Sequence, residues 1–394
     1  MNEYRPEREE ELAEIVRRAA ADRRPLRVVG GGTRDFGHDV EGDPLRIEGL
    51  SGIRLYEPGA LTIVVGAGTP LDEVESALGA EGQRLPFEPW TGRALYGTAG
   101  RPTIGGAVAV NASGPRRISV GACRDSLIGV RFVDGTGAVV KSGGRVMKNV
   151  TGLDLVKLLC GSHGTLGVMT EMAFKVLPRP EATWTIVFDG LSDEAAVSAM
   201  TAALATPFEV TGAAHVPRGL GPAPLTMLRV EGFAAQAEYR AKSLADALAR
   251  FGQAQQIEGE GDWSWVRDAR AFAGRDGEVW RYSVRPADGA RVGAAIRAIA
   301  PRADVIYDWA GGLVWALLPE HTYGREALKG LAGHATLMRG ARETKTHMPV
   351  FHPQPGPVAR IENELRARFD PQGILNRGRM GGAPAPAPPA PQTA

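Results

Sequence analysis

Glycine, small hydroxyl residues and arginine recur together along this chain, a combination suited to a ligand rich in phosphate. The densest stretch, 101–171, opens with Arg-Pro-Thr-Ile-Gly-Gly-Ala-Val-Ala-Val-Asn-Ala-Ser-Gly (101–114) and passes a basic turn, Pro115-Arg116-Arg117. It closes on Gly161-Ser162-His163-Gly164-Thr165-Leu166-Gly167-Val168-Met169-Thr170-Glu171. Gly30-Gly31-Gly32-Thr33-Arg34 forms a second cluster, directly after the apolar run Leu26-Arg27-Val28-Val29. Residues without bulk let backbone N–H groups come close to an anion. A single such cluster reads equally as a tight turn. Several of them, interleaved with hydroxyls and arginines, read as a backbone cradle for a large phosphate-bearing cofactor. It is not the dinucleotide fingerprint, because GxGxxG spacing is missing and no helical pattern follows Gly30–Gly32.

The elements that must position these residues are legible from periodicity. Residues 7–22 place Leu12, Ile15, Val16 and Ala19 at helical spacing, and 26–29 read as a strand. Leu61–Val65 reads as a strand entering Gly66-Ala67-Gly68-Thr69-Pro70 and then a helix to Leu78, either a further phosphate turn or an ordinary αβ unit. A hairpin spans 126–134 and 138–141, and a strand over 167–177 ends at Pro178-Arg179-Pro180, a stiff break taken as a domain boundary. Beyond it the pattern becomes β-α-β-β-α twice over, with an irregular stretch at 258–277 between the halves. That predicts a duplicated ferredoxin-like layer, an antiparallel sheet with helices on one face. Residues 357–369 predict an amphipathic helix (Val358, Ile361, Leu365, Phe369), and 381–394, alternating Pro and Ala, a disordered tail. The fold class is therefore α+β. Its units are expected at 1–179, 180–345 and, returning to the first, 346–380.

Composition narrows the function. A formal charge of +1 and no basic run interleaved with aromatics exclude nucleic-acid binding as the leading reading. No apolar stretch approaches a membrane span, and the charged N-terminus is unlike a signal peptide, so a cytoplasmic protein, at most peripheral to a membrane, is expected. Two cysteines, Cys123 and Cys160, fall short of the four thiolates of an ordinary iron–sulfur cluster.

At this point a family emerges. Gly30-Gly31-Gly32-Thr33, Pro102–Asn111, Gly161–Glu171 and the closing Phe369-Asp370-Pro371 with Leu375-Asn376-Arg377-Gly378-Arg379 resemble, in order, four marks of FAD-linked oxidases with a vanillyl-alcohol-oxidase-type (PCMH-type) FAD-binding domain. Within that superfamily the chain most resembles the E-subunit family of bacterial glycolate oxidases. The resemblance implies a two-subdomain FAD-binding domain under a cap. Gly30, Gly31, Gly32, Thr33 and Arg34 would hold the pyrophosphate. Pro102, Thr103, Gly105, Gly106, Asn111 and Ser113 would run along pyrophosphate and flavin. Gly164, Thr165, Gly167, Val168 and Thr170 would line the adenine and ribose, and Asn376 would return to the flavin. His38 sits too far along for the covalent attachment some relatives use, so the FAD is expected to be non-covalent.

The resemblance also implies oxidation of glycolate, and of D-lactate, to the 2-oxo acid, in a complex with a second FAD subunit and an iron–sulfur subunit. The catalytic branch carries a His-x-Gly-Asp-Gly-Asn-x-His-like run in the cap, and this chain has none; its His215, His321 and His334 stand in unrelated contexts. Oxidising a 2-hydroxy acid needs a cation for the carboxylate and a base for the hydroxyl proton. Arg281, sharing a strand face with Ser283, suits the carboxylate through its planar fork. Lys345 and His347, in the segment returning from the cap, complete the candidate catalytic set; no metal is expected. Two rivals stay open: an FAD-containing structural or electron-relay subunit without turnover, and a stand-alone oxidase of a sugar or aldonolactone.

Overall fold

A computed structural model describes residues 2–34, 36–144, 153–217, 224–259, 261 and 263–381. The expected disordered tail lies, from residue 382 on, outside the described residues. The first helix, Glu9–Ala21, buries Leu12, Ala13, Val16 and Ala19, and its three leading glutamates sit where the helix dipole favours negative charge. It delivers the chain to the strand Leu26–Val29, which pairs in parallel with Asp43–Arg46. Parallel bridges Tyr4↔Leu45 and Leu26↔Leu375 extend this small sheet at both edges, so the C-terminal return lies beside the first strand. A second sheet is antiparallel, in the order Ile53–Glu57, Thr62–Gly66, Val168–Lys175, Leu127–Val133, Val139–Gly143. Every residue of Thr62–Gly66 is buried, which its continuous apolar run requires.

The third sheet has eight strands and two repeats. The first repeat is Ala182–Asp189, helix Asp193–Leu204, Val210–Val216, Leu225–Gly232, helix Ala234–Ala247 and Gln255–Glu258. The second is Glu278–Val284, helix Gly289–Ile299, Asp304–Asp308, Leu313–Leu318, the short turn Gly324–Leu328 and Gly333–Arg339. In each repeat the spatial order is fourth, first, third, second, and the two second strands meet at His215↔Tyr307. This is the expected ferredoxin-like layer, duplicated. Its one unforeseen strand, Gln255–Glu258, is exposed at all four positions and so carries no alternation for a pattern to reveal. The stretch read as irregular also holds a short helix, Trp263–Arg267.

Strand alternation gives this sheet two different faces. Ile186, Phe188, Leu228, Trp280, Tyr282 and Ala316 pack under the helices. Val187, Met227, Val279, Ile306, Leu313, Trp315 and Leu317 join one core with Ile63, Val65, Phe87 and Leu95 of the N-terminal unit. The cap is therefore clamped by its apolar underside. Buried charges fix the register. Arg229 forks onto Glu88 at 3.0 and 2.9 Å, and Arg116 forks onto Glu231 at 2.6 and 2.9 Å. Arg84 adds a third cation to Glu231 at 2.9 Å.

One expectation changes. The helix Gly356–Phe369 forms as predicted but buries none of its residues, and Val358 and Ile361 are 42% and 58% exposed. Only its end engages the core, where Phe369 packs on Phe132 at 6.1 Å between ring centroids.

Candidate functional site

The loops after Leu26–Val29 and before the helix Ile104–Ala109 face each other across a cleft of about 300 Å³. Their approach depends on glycine. A Cβ on Gly31 would lie 1.6 Å from the Arg101 carbonyl oxygen, and one on Gly100 would lie 1.9 Å from the Gly31 carbonyl oxygen. A Cβ on Gly30 would meet Thr103 Oγ1 at 2.5 Å, and Gly32 adopts φ +64°. Among the described residues, the N–H groups of Gly30, Gly31 and Gly32 donate to no protein acceptor. Adjacent free donors in a concave, side-chain-free loop are what a diphosphate needs, so the residues present fit the phosphate end of FAD.

Gly30, Gly31, Gly32, Thr33, Arg34, Thr103, Gly105, Gly106, Gly164, Gly167, Val168 and Asn376 all line this cleft. Five expected contacts lie outside its lining. Pro102 gives its carbonyl to Leu71 N–H at 2.8 Å. Asn111 (φ +50°) accepts Arg124 N–H at 3.1 Å, and Ser113 Oγ accepts Cys123 N–H at 3.0 Å. Thr165 donates to the Ser162 carbonyl at 2.7 Å. Thr170 donates to Glu9 on the first helix. These polar groups hold loops in place rather than face the cavity. Asn376 lines the cleft with its amide already committed: Oδ1 accepts Val28 N–H and Nδ2 donates to the His163 carbonyl, each at 2.8 Å.

His163, within the Gly161–Gly167 cluster, lines the cleft as well. Its ring lies 4.9 Å from both Phe36 and Phe351, edge to face. Burial, and then the positive charge of Arg379, push its pKa down to about 3, so it is neutral. Arg34 donates through Nε to the Trp90 carbonyl at 2.8 Å and stacks on the Trp90 ring. Burial lowers its pKa to about 10, against the pull of Asp268.

Tyr96 ties the N-terminal unit to the cap, its hydroxyl donating to the Met338 carbonyl on the strand Gly333–Arg339 at 2.9 Å. Arg281 pairs in register with Trp315 on one side and Thr336 on the other, and Ser283 with Leu313 and His334. Paired residues share a face, so Arg281, Ser283, Trp315, Thr336 and His334 all look toward the N-terminal unit. The guanidinium of Arg281 lies 5.3 Å from the Trp309 ring centroid, and burial first, then Arg117, lower its pKa to about 10. Asp308 is 2% exposed and caps Trp309 N–H at 2.7 Å; burial raises its carboxyl to about 7.

Lys345 and His347 are not brought there. The returning segment folds as a helix, Arg342–His347, whose buried residue is Thr344, bonded to Glu278 at 2.7 Å. That turns His347 out to solvent and puts Lys345 in a surface groove with His38 and Arg377. His334, set aside in the sequence, lines an open cavity of about 390 Å³ with His352, their ring centroids 6.4 Å apart. Only strand pairing could have revealed it. Among the described residues no cluster of three ligand-type side chains could hold a metal ion.

The model of the FAD binding domain family matches residues 3–143. Glycolate oxidase subunit GlcE of Escherichia coli is 33% identical over 376 residues, 94% of this chain and 96% of that protein. The chain belongs to the GlcE family. It sits with that family among the PCMH-type FAD-linked oxidases, and its cofactor is FAD. Other relatives of the GlcE-family chain match about half of it. A D-lactate dehydrogenase of Anaerostipes hadrus is 31% identical over 47% of the chain, and glycolate oxidase subunit GlcD of Bacillus subtilis is 30% identical over 46%. Each match spans 38% of the relative's own length. Among solved structures, p-cresol methylhydroxylase with substrate bound superposes with TM-score 0.70 at 14% identity, over 96% of this chain and 88% of that one, a likeness of fold. No helix among the described residues is long and apolar enough to cross a membrane.

Proposed function

We propose that this chain is the FAD-binding E-type subunit of a glycolate oxidase complex and takes part in flavin-dependent oxidation of a small 2-hydroxy acid, glycolate or D-lactate, to the 2-oxo acid. The observation that carries the reading is the glycine cleft, its N–H groups unpartnered among the described residues, together with a cap face carrying Arg281 that packs against the same N-terminal unit. In this reading residues 1–179 and 346–380 form the FAD domain and 180–345 the cap. Bound FAD would supply the two-electron acceptor. The Gly30–Thr33 backbone would hold its pyrophosphate, Thr103, Gly105 and Gly106 the adjoining part, and Gly164, Gly167 and Val168 the adenine and ribose end.

Arg281 would pair with the substrate carboxylate, its fork matching two oxygens. His334 would accept the hydroxyl proton, a role it inherits because Lys345 and His347 face away. His334 is exposed to the open cavity it lines. Partial desolvation there, with the positive charge of Arg281, His352 and Arg117 adding, lowers its pKa from the ordinary value and favours the neutral, proton-accepting form. With two cysteines the chain cannot hold an iron–sulfur cluster in the ordinary way, so electrons would leave through a partner subunit. The outward-facing Lys345 and His347 favour one alternative, a relay subunit without turnover.

Glyoxylate formation from glycolate, measured with an artificial electron acceptor and the FAD-loaded chain, separates the two. Product that disappears in Arg281→Ala and His334→Gln supports turnover here. Retained FAD with no product until partner subunits are added supports the relay.

A further inference from the structure

Two arginines meet at one indole on the boundary between the N-terminal unit and the cap. Arg117, from the short helix Arg117–Val120, places its guanidinium carbon 4.4 Å from the Trp309 ring centroid, and Arg281, from the cap strand Glu278–Val284, places its own at 5.3 Å. Trp309 is fixed beside them by its Nε1–H, donated to the Gly114 carbonyl at 3.0 Å. Like charges gathered on one ring raise the cost of burial unless an anion lies with them. Among the described residues neither guanidinium has a hydrogen bond or an ion pair; their contacts are with aromatic rings alone. The nearby acids are otherwise engaged. Asp125 Oδ2 accepts Ala122 N–H at 2.8 Å, and Asp308 Oδ1 caps Trp309. Glu88 and Glu231, deeper in the same boundary, are spent on Arg84, Arg116 and Arg229. Those two glutamates are therefore shared among three other arginines and offer nothing to Arg117 or Arg281.

We propose that Arg117 and Arg281 form a two-armed carboxylate site, one arm from each unit, that grips the carboxylate of the 2-hydroxy acid over Trp309. This deepens the function proposed above and rests on it. It adds a binding residue from the N-terminal unit to a site otherwise built by the cap. Because the arms come from different units, a bound carboxylate also ties cap to FAD domain. Arg116, one residue earlier in the chain, cannot serve, since its fork is closed on Glu231.

The test is a titration of the FAD-loaded chain with oxalate, a carboxylate that cannot be oxidised at a C–H bond, followed by calorimetry and by tryptophan fluorescence. Flavin content and melting temperature are recorded on the same samples. Arg117→Ala and Arg281→Ala are each expected to weaken oxalate about tenfold or more, which is about 1.4 kcal/mol. The double variant should lose less than the product of the two, as groups sharing one ligand do. Arg117→Lys should recover part of the loss. Oxalate affinity unchanged in Arg117→Ala, or no oxalate binding by the wild-type chain, overturns the proposal. A chain that retains no FAD defeats the functional reading instead; tryptophan fluorescence then still reports whether the arginine pair takes the anion.

Discussion

Asn376 accepts the backbone N–H of Val28 at 2.8 Å across 348 residues of sequence. Its other amide end reaches the His163 carbonyl, so one side chain joins the first strand, the His163–Gly164 loop and the C-terminal return. It holds φ +43°, a left-handed conformation that asparagine tolerates better than most residues. A Cβ on Gly164 would come within 2.8 Å of its Nδ2, so the two residues exclude alternatives to each other.

Asn376→Ala should therefore cost about 1–3 kcal/mol, the penalty for leaving buried backbone groups unpaired. Asn376→Asp keeps the acceptor for Val28 and loses the donor to His163, placing a carboxylate against a carbonyl. Both should release FAD more readily, by at least tenfold in dissociation constant for the aspartate. Urea unfolding and equilibrium dialysis of FAD measure the two effects separately.

Gly31→Ala drives a methyl group into the Arg101 carbonyl, and rigid backbone on both sides leaves it nowhere to go. Loss of FAD uptake is the expected result, with a stability cost of about 1–3 kcal/mol. Gly59→Ala, where a Cβ meets nothing within 4 Å, is the control and should bind FAD as the wild type does.

The cleft was legible in the sequence because its requirement is local. Gly30–Gly32 and Gly105-Gly106 announce a close backbone approach whatever lies opposite. The cap was legible as two repeats because buried strands and amphipathic helices leave periods of 2 and 3.6. What stayed hidden depends on pairing. Glu88 and Arg229 are 141 residues apart, and nothing local distinguishes Arg116, closed on Glu231, from Arg117, open on Trp309. Lys345 and His347 suggested chemistry by their place in the segment returning from the cap, yet the helix they occupy spends its inward position on Thr344. Asn376, expected at the flavin, lines the cleft, and its amide also ties the loops of that cleft together across 348 residues of sequence.

His163 gives the cleft a pH dependence with a definite sign. Its folded-state pKa of about 3 lies below the ordinary value near 6.5, so the unfolded chain takes up a proton that the folded chain refuses. Its contribution is fully present above about pH 6.5 and is lost as pH falls toward 3. Urea midpoints between about pH 7 and 5 should fall more steeply for the wild type than for His163→Leu. Parallel slopes would show that the imidazole is not held neutral.

Glu231 is the shared acceptor of Arg84 and Arg116. Burial opposes its ionisation, but the Arg116 hydrogen bonds and the charges of Arg229, Arg116 and Arg84 hold its carboxyl far below the usual range. Glu231→Gln leaves buried cations unmatched between the two units and should destabilise by about 3–5 kcal/mol. Differential scanning calorimetry should show a lowered melting temperature, with the cap loosening from the N-terminal unit before the rest unfolds.

The most direct test of the whole account is anaerobic. The chain is purified alone, loaded with FAD and mixed with glycolate while the visible flavin band is recorded. Bleaching of that band in the wild type, and its persistence in Arg281→Ala, is the predicted result. An FAD-loaded wild-type chain whose flavin band stays unchanged with glycolate and with D-lactate would contradict substrate oxidation at this site.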